Sequence, residues 1–143
     1  MTWSSARTPY VLPMVVIPED IDAQGIASNV AILSWMNRAA IAHSTAEGYD
    51  WSAYRRLGTM FVVRRHELDY HRSARLGERV LLRTWPGHLK GATCRRFHEV
   101  VSADEGLLIA RGMNVWAYID RDEHRPQRIP PEILEAFEPT RFL

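Results

Sequence analysis

Pro18-Glu19-Asp20-Ile21-Asp22-Ala23-Gln24-Gly25-Ile26-Ala27-Ser28-Asn29, running directly into Val30 to Ala46, is the stretch that decides how this chain is read. An acidic, glycine-containing loop delivers the chain into a long segment whose only formal charge is Arg38. Leu33, Met36, Ala40 and Ile41 follow helical spacing, and Trp35, Ala39 and Ala42 occupy the other faces. A surface helix shows a charged side to water, and this one does not, so the pattern predicts a helix surrounded by the rest of the fold. Ser28 or Asn29 supplies its N-cap, and Gly48 is a suitable stop.

Upstream, Tyr10 to Ile17 is a short apolar run that suits a strand, with Pro13 pointing to a sheet edge or a bulge. Downstream, Asp50 to Leu57 reads as a short helix. Met60 to Tyr70, Arg79 to Trp85, Thr93 to Val101 and Leu107 to Ile119 are then rich in Val, Ile, Leu, Phe, Thr and Trp. Gly, Pro and Asp turns separate them: Leu76-Gly77-Glu78, Pro86-Gly87 and Ala103-Asp104-Glu105-Gly106. Connections this short favour antiparallel pairing. A last short helix is expected from Pro130-Pro131 to Phe137. One strand, one long helix and four more strands give an α+β domain in which a sheet wraps a buried helix.

A length of 143 residues predicts a single domain over 1–143, and 46% hydrophobic residues suffice for its core. A net charge of +1 argues against a nucleic-acid partner. The basic residues Arg64, Arg65, Arg72, Arg75, Lys90, Arg95 and Arg96 read as solvated strand faces. One cysteine, Cys94, excludes an internal disulfide. The histidines His66, His71, His88, His98 and His124 are scattered without metal-ligand spacing, and no metal is expected. No apolar run approaches membrane-spanning length and no leader pattern is visible, so a soluble cytoplasmic protein without a membrane partner is expected.

The chemistry of the acidic loop follows from its position. A carboxylate in the turn before a helix lies beside backbone N–H groups that have no intrahelical acceptor. Those donors polarise a carbonyl while the carboxylate attacks it, directly or through water. That combination cleaves an acyl ester without a serine nucleophile. Ser28 has no GxSxG elbow around it and no triad to activate it. His43 lies fourteen residues beyond Asn29, roughly 21 Å along a helix, and reads as a packed or interface histidine.

The loop Glu19-Asp20-Ile21-Asp22-Ala23-Gln24-Gly25-Ile26 with its helix, and the block Phe61-Val62-Val63-Arg64-Arg65, Tyr70, Ala74-Arg75-Leu76, Lys90-Gly91 and Ile129-Pro130, resemble the hotdog-fold acyl thioesterases. The resemblance is to the 4-hydroxybenzoyl-CoA thioesterase family, and within it to the bacterial short-chain acyl-CoA thioesterase branch. It spans about residues 10–135. It implies a five-stranded antiparallel sheet around one long central helix, homodimers or dimers of dimers, and active sites at the dimer interface. Exposed edges of a single open sheet agree with such pairing.

The resemblance also implies roles. The catalytic carboxylate falls on Asp22, three residues before Gly25, with Asp20 as its competitor. The Asn29 backbone N–H would hold the thioester oxygen. Lys90, with Gly91 and Thr93 beside it, occupies the place of a basic turn that holds coenzyme A phosphates. The expected substrate is an acyl-CoA or acyl-carrier-protein thioester. No cofactor is required, because coenzyme A arrives as part of the substrate. The branch often has His or Tyr near the helix start; this chain has Ser28-Asn29-Val30, closer to the Asn-Asn-Val run of plant acyl-carrier-protein thioesterases. The rival readings are a non-catalytic acyl-CoA-binding or regulatory hotdog domain, and a related dehydratase, whose His-containing helix is not evident. Cys94 reads as a small core residue. Trp35, Trp51, Trp85 and Trp116 read as core packing, with one or two lining an acyl pocket.

Overall fold

The computed structural model describes residues 9–137. Its elements are β1 (Tyr10–Val15), a 3-10 turn (Pro18–Asp20), α1 (Asn29–Ala46), α2 (Trp51–Leu57), β2 (Thr59–Tyr70), β3 (Arg79–Lys90), β4 (Thr93–Ser102), β5 (Leu108–Asp120) and α3 (Pro131–Ala136). The strands form one antiparallel sheet in the order β1-β3-β4-β5-β2. β1 is an edge strand, and Pro13 lies there as expected.

α1 packs on one face of this sheet. Its buried side is Ala31, Ile32, Trp35, Met36, Ala39, Ala40 and His43. These meet Val16, Leu82, Val100, Ile109 and Ala110 in the main core. Trp35 is fully buried, and its truncation to alanine would cost about 3–5 kcal/mol. The helix approaches β5 closely at Gly112, where an added Cβ would lie 2.8 Å from Met36 Sδ and 2.5 Å from Leu68 Cδ2.

Two expectations are corrected. The first is that α1 is surrounded. Among the described residues the sheet covers only one side, and Val30 and Ile41 remain 76% and 57% exposed. The second is a turn at Pro86-Gly87. β3 instead runs on to Lys90 and turns at Gly91 and Ala92, with Lys90 paired to Thr93. Among the described residues, β1 pairs with β3 no further than Thr84. The β3–β4 register also shifts between Pro86 and Leu89. A proline is tolerated at such a bulged position.

A second cluster closes the far end of the sheet: Tyr118, Ile129, Ile133 and Phe137, with Tyr54, Phe61 and Leu89 against it. α3 is therefore seated beneath the C-terminal half of α1, not beside its start.

Candidate active site

Backbone hydrogen bonds lock the acidic loop to the start of α1. The Asp20 carbonyl accepts the Ser28 N–H at 2.9 Å, and the Ile26 carbonyl accepts the Asp22 N–H at 2.9 Å. The Asp20 carboxylate turns back to accept the Ile17 N–H at 3.0 Å. Asp20 is thus committed to shaping the 3-10 turn. Asp22 is exposed, and its Oδ1 accepts the Gln24 N–H at 2.8 Å. No other hydrogen bond engages the Asp22 carboxylate among the described residues. Gly25 closes the turn through its N–H to the Asp22 carbonyl, at φ +83°, a conformation that suits glycine.

Ser28 is the N-cap, its Oγ accepting the Ala31 N–H at 3.0 Å. Asn29 is the first helical residue. The Asn29 and Val30 N–H groups have no acceptor among the described residues, and both residues are exposed. The loop thus presents a carboxylate and, a few residues on, free amides at the positive end of an 18-residue helix.

Lys90 and Thr93 lie elsewhere. Both are exposed in the β3–β4 turn, where Thr93 Oγ1 donates to the Lys90 carbonyl at 3.3 Å. The Asp22 loop is anchored at the opposite end of β3: the Val16 N–H donates to the Glu78 carbonyl at 3.0 Å and the Ala27 N–H to the Ala74 carbonyl at 2.9 Å. Eleven steps of strand separate Arg79 from Lys90, roughly 35 Å at the usual rise. Asp22, Gly25 and Asn29 are brought together within the chain; Lys90 and Thr93 are not brought to them.

At the Lys90 end a cavity of about 440 Å³ opens between the C-terminal half of α1, α2 and the sheet. Trp51 and Trp116 line it, as does Cys94, whose thiol burial pushes up to about 11. Trp35 and Trp85 are buried elsewhere. Arg96 also lines the cavity. The expectation of a solvated Arg96 is wrong: the residue is 8% exposed. Its Nη1 donates to His43 Nδ1 at 3.0 Å and to Thr84 Oγ1 at 3.2 Å. His43 is a packed histidine, 1% exposed and stacked on Tyr10. The missed signal was strand alternation, because Arg96, His98 and Val100 fall on one inward face of β4. Among the described residues no His, Cys, Asp or Glu cluster is arranged to hold a metal ion.

The fold defines the class: a five-stranded antiparallel sheet packed on one long helix is the hotdog arrangement of thioester hydrolases. The chain belongs to the thioesterase-like superfamily, whose family model matches residues 16–137. It is 24% identical over 130 residues to the acyl-CoA thioester hydrolase YbgC of Escherichia coli O157:H7, covering 91% of this chain and 96% of that one. The same values relate it to YbgC of Shigella flexneri. Among solved structures it is similar to a 1,4-dihydroxy-2-naphthoyl-CoA thioesterase from Synechocystis, with TM-score 0.83 and 17% identity over 90% of this chain and 95% of that one. It is likewise similar to the DHNA-CoA thioesterase from Staphylococcus aureus, with TM-score 0.85 and 18% identity over 94% and 91%.

Proposed function

We propose that this protein hydrolyses an acyl-CoA thioester with Asp22 as the reacting carboxylate and the Asn29 N–H as the principal oxyanion donor. The observation that supports this reading is the Asp22 carboxylate, free on one oxygen, held in the same hydrogen-bonded loop as the unfilled amides of α1. As the carbonyl carbon becomes tetrahedral, its oxygen gains negative charge, and fixed N–H dipoles stabilise it without reorganising. Asp22 acts in one of two ways. As nucleophile it bonds to the carbonyl carbon, the C–S bond breaks, the thiolate takes a proton from water, and water then cleaves the acyl anhydride. As general base it takes a proton from water while the water oxygen attacks, and that proton leaves with the thiolate. Neither route calls on a cofactor beyond the coenzyme A of the substrate.

The working unit in this reading is a homodimer or a dimer of dimers. Among the described residues β2 offers a twelve-residue open edge, against six residues in β1. Thr59 lies at the Asp120 end of the sheet and Tyr70 at the Ala110 end. Two copies of β2 paired antiparallel about a two-fold axis would set the Lys90 end of one protomer beside the Asp22 end of the other. Lys90 and Thr93 would then hold the phosphates of a coenzyme A whose thioester lies at the other protomer's Asp22. The cytoplasm is the proposed compartment: a single cysteine fits a reducing environment, and no helix among the described residues is long and apolar enough to cross a membrane. Thiol release across an acyl-CoA panel, run beside Asp22→Asn, tests the assignment. Thiol release by the wild type that Asp22→Asn loses supports it; no release from any acyl-CoA contradicts it.

A further inference from the structure

Arg96 is a buried cation, 8% exposed, with no anion against it among the described residues. Its hydrogen bonds are made by one nitrogen, Nη1, to two acceptors, His43 Nδ1 and Thr84 Oγ1. The Phe137 ring lies below the guanidinium, 5.9 Å from Cζ. No carboxylate pairs with it among the described residues. A guanidinium carries five N–H donors, and burying it costs several kcal/mol unless its charge is compensated. Burial lowers the pKa of Arg96, as that cost requires.

The side chain lines the 440 Å³ cavity, a volume within the range of small-ligand sites. The walls around it are largely apolar, with Phe61, Leu89, Trp116 and Phe137 among them. Asp50 is the one acid in the lining, and it is exposed, with Oδ1 accepting the Ala53 N–H at 2.8 Å as the cap of α2. Tyr54 is a neutral donor there: burial first of all pushes its pKa up to about 12, and its hydroxyl lies 3.1 Å from Ser44 Oγ. Arg121, half-buried, also lines the cavity, but it lies over the Trp51 ring, 5.0 Å from the centroid, and its Nη2 donates to the Thr59 carbonyl at 3.5 Å. Arg96 is the one buried cation among the described lining residues, and in largely apolar walls it matches a ligand with an apolar body and one anionic end.

We propose that this cavity binds an organic acid, its carboxylate on the free N–H groups of Arg96 and its hydrocarbon or aryl body against Leu89, Phe61 and Trp116. The carboxylate has two sources: a free acid, or the far end of an acyl group whose near end is the thioester. The second rests on the proposed hydrolysis. The first does not.

The test begins with binding alone. Hexanoate through decanoate and phenylpropanoate are titrated into the intact protein by calorimetry, each beside its primary amide. The acids should bind about tenfold or more tighter than the amides, the usual worth of a hydrogen bond to a charged group. Arg96→Met should erase that preference and keep its melting temperature, and Arg96→Lys should retain part of it. Equal binding of acid and amide, or an unchanged preference in Arg96→Met, overturns the proposal. Kinetics then separates the sources. A kcat/KM preference for ω-carboxyacyl-CoA over acyl-CoA of the same length, lost in Arg96→Met, assigns the carboxylate to the substrate. Flat kinetics with acid binding intact assigns it to a free acid. Absence of turnover with every thioester removes the hydrolysis reading and leaves the binding result standing.

Discussion

The Ser28 hydroxyl accepts the Ala31 N–H at 3.0 Å, and so the cap of α1 belongs to Ser28 and not to Asn29. The two side chains can therefore be separated. Ser28→Ala should lower stability by about 1 kcal/mol, the usual worth of such a cap. Asn29→Ala should change stability by less than about half of that, because the Asn29 side chain is exposed and caps nothing. Paired denaturant titrations measure both.

Asn29→Asp addresses the proposed oxyanion donor. Aspartate at the first helical position suits the helix dipole, so the fold should keep its stability. The new charge, however, sits beside the developing oxyanion and near Asp22. At a separation of about 4 Å it opposes the transition state by roughly 1–4 kcal/mol, depending on local screening. Turnover should fall about tenfold or more, while Asn29→Ala falls modestly. Steady-state kcat for both variants gives the answer.

His98 is fully buried, with Nε2 3.2 Å from Asn114 Oδ1, and burial lowers its pKa to about 3. In the unfolded chain it titrates near 6.5, so between those values the unfolded state binds the extra proton. Its contribution to stability is complete above pH 6.5 and is lost as pH falls toward 3, at up to about 1.4 kcal/mol per pH unit. His66, also lowered by burial, adds to the same slope. Unfolding free energies between pH 5 and 6.5, where carboxylates contribute little, should show a steeper loss in wild type than in His98→Gln.

The proposed composite site has a test in mixed dimers. Lys90→Ala alone should raise KM for acyl-CoA with little change in kcat, since a remote phosphate contact serves ground and transition states alike. A hybrid of one Asp22→Asn protomer and one Lys90→Ala protomer holds one unaltered pairing of Asp22 with the other copy's Lys90. It should therefore show the wild-type KM. Were Lys90 to serve its own protomer's Asp22, the hybrid would show only the raised KM. Light scattering should give two or four times the 16.5 kDa chain mass.

Much of the fold was legible because periodicity and turn residues agreed: all five strands, the long helix and both short helices lie close to where they were expected. The orientation of α1 was not. With one formal charge there is no polar face to set it, and the spacing through Leu33 and Ile41 fitted as well as the true buried face through Ile32, Trp35 and Met36. Pro86-Gly87 carries every local mark of a turn; the shift in β3–β4 register between Pro86 and Leu89 accommodates it within a continuing strand, and that depends on the partner strand. The placement of Asp22 beside the start of α1 could be read directly, since it depends on adjacency in sequence. The separation of Lys90 from Asp22 depends on topology and could not. Arg96 was misplaced because the habit of arginines to face water was given more weight than the alternation of β4.

The central claim rests on the free oxygen of Asp22. Asp22→Asn keeps the size of the side chain and the Oδ1 acceptor for the Gln24 N–H, so the loop should survive, yet an amide neither attacks a thioester nor takes a proton from water. The decisive measurement is single-turnover cleavage of an acyl-CoA that the wild type hydrolyses, with unfolding of the variant followed in parallel. The account predicts unchanged stability and a rate lower by about 100-fold or more. A variant that folds normally and cleaves the thioester at the wild-type rate would contradict it.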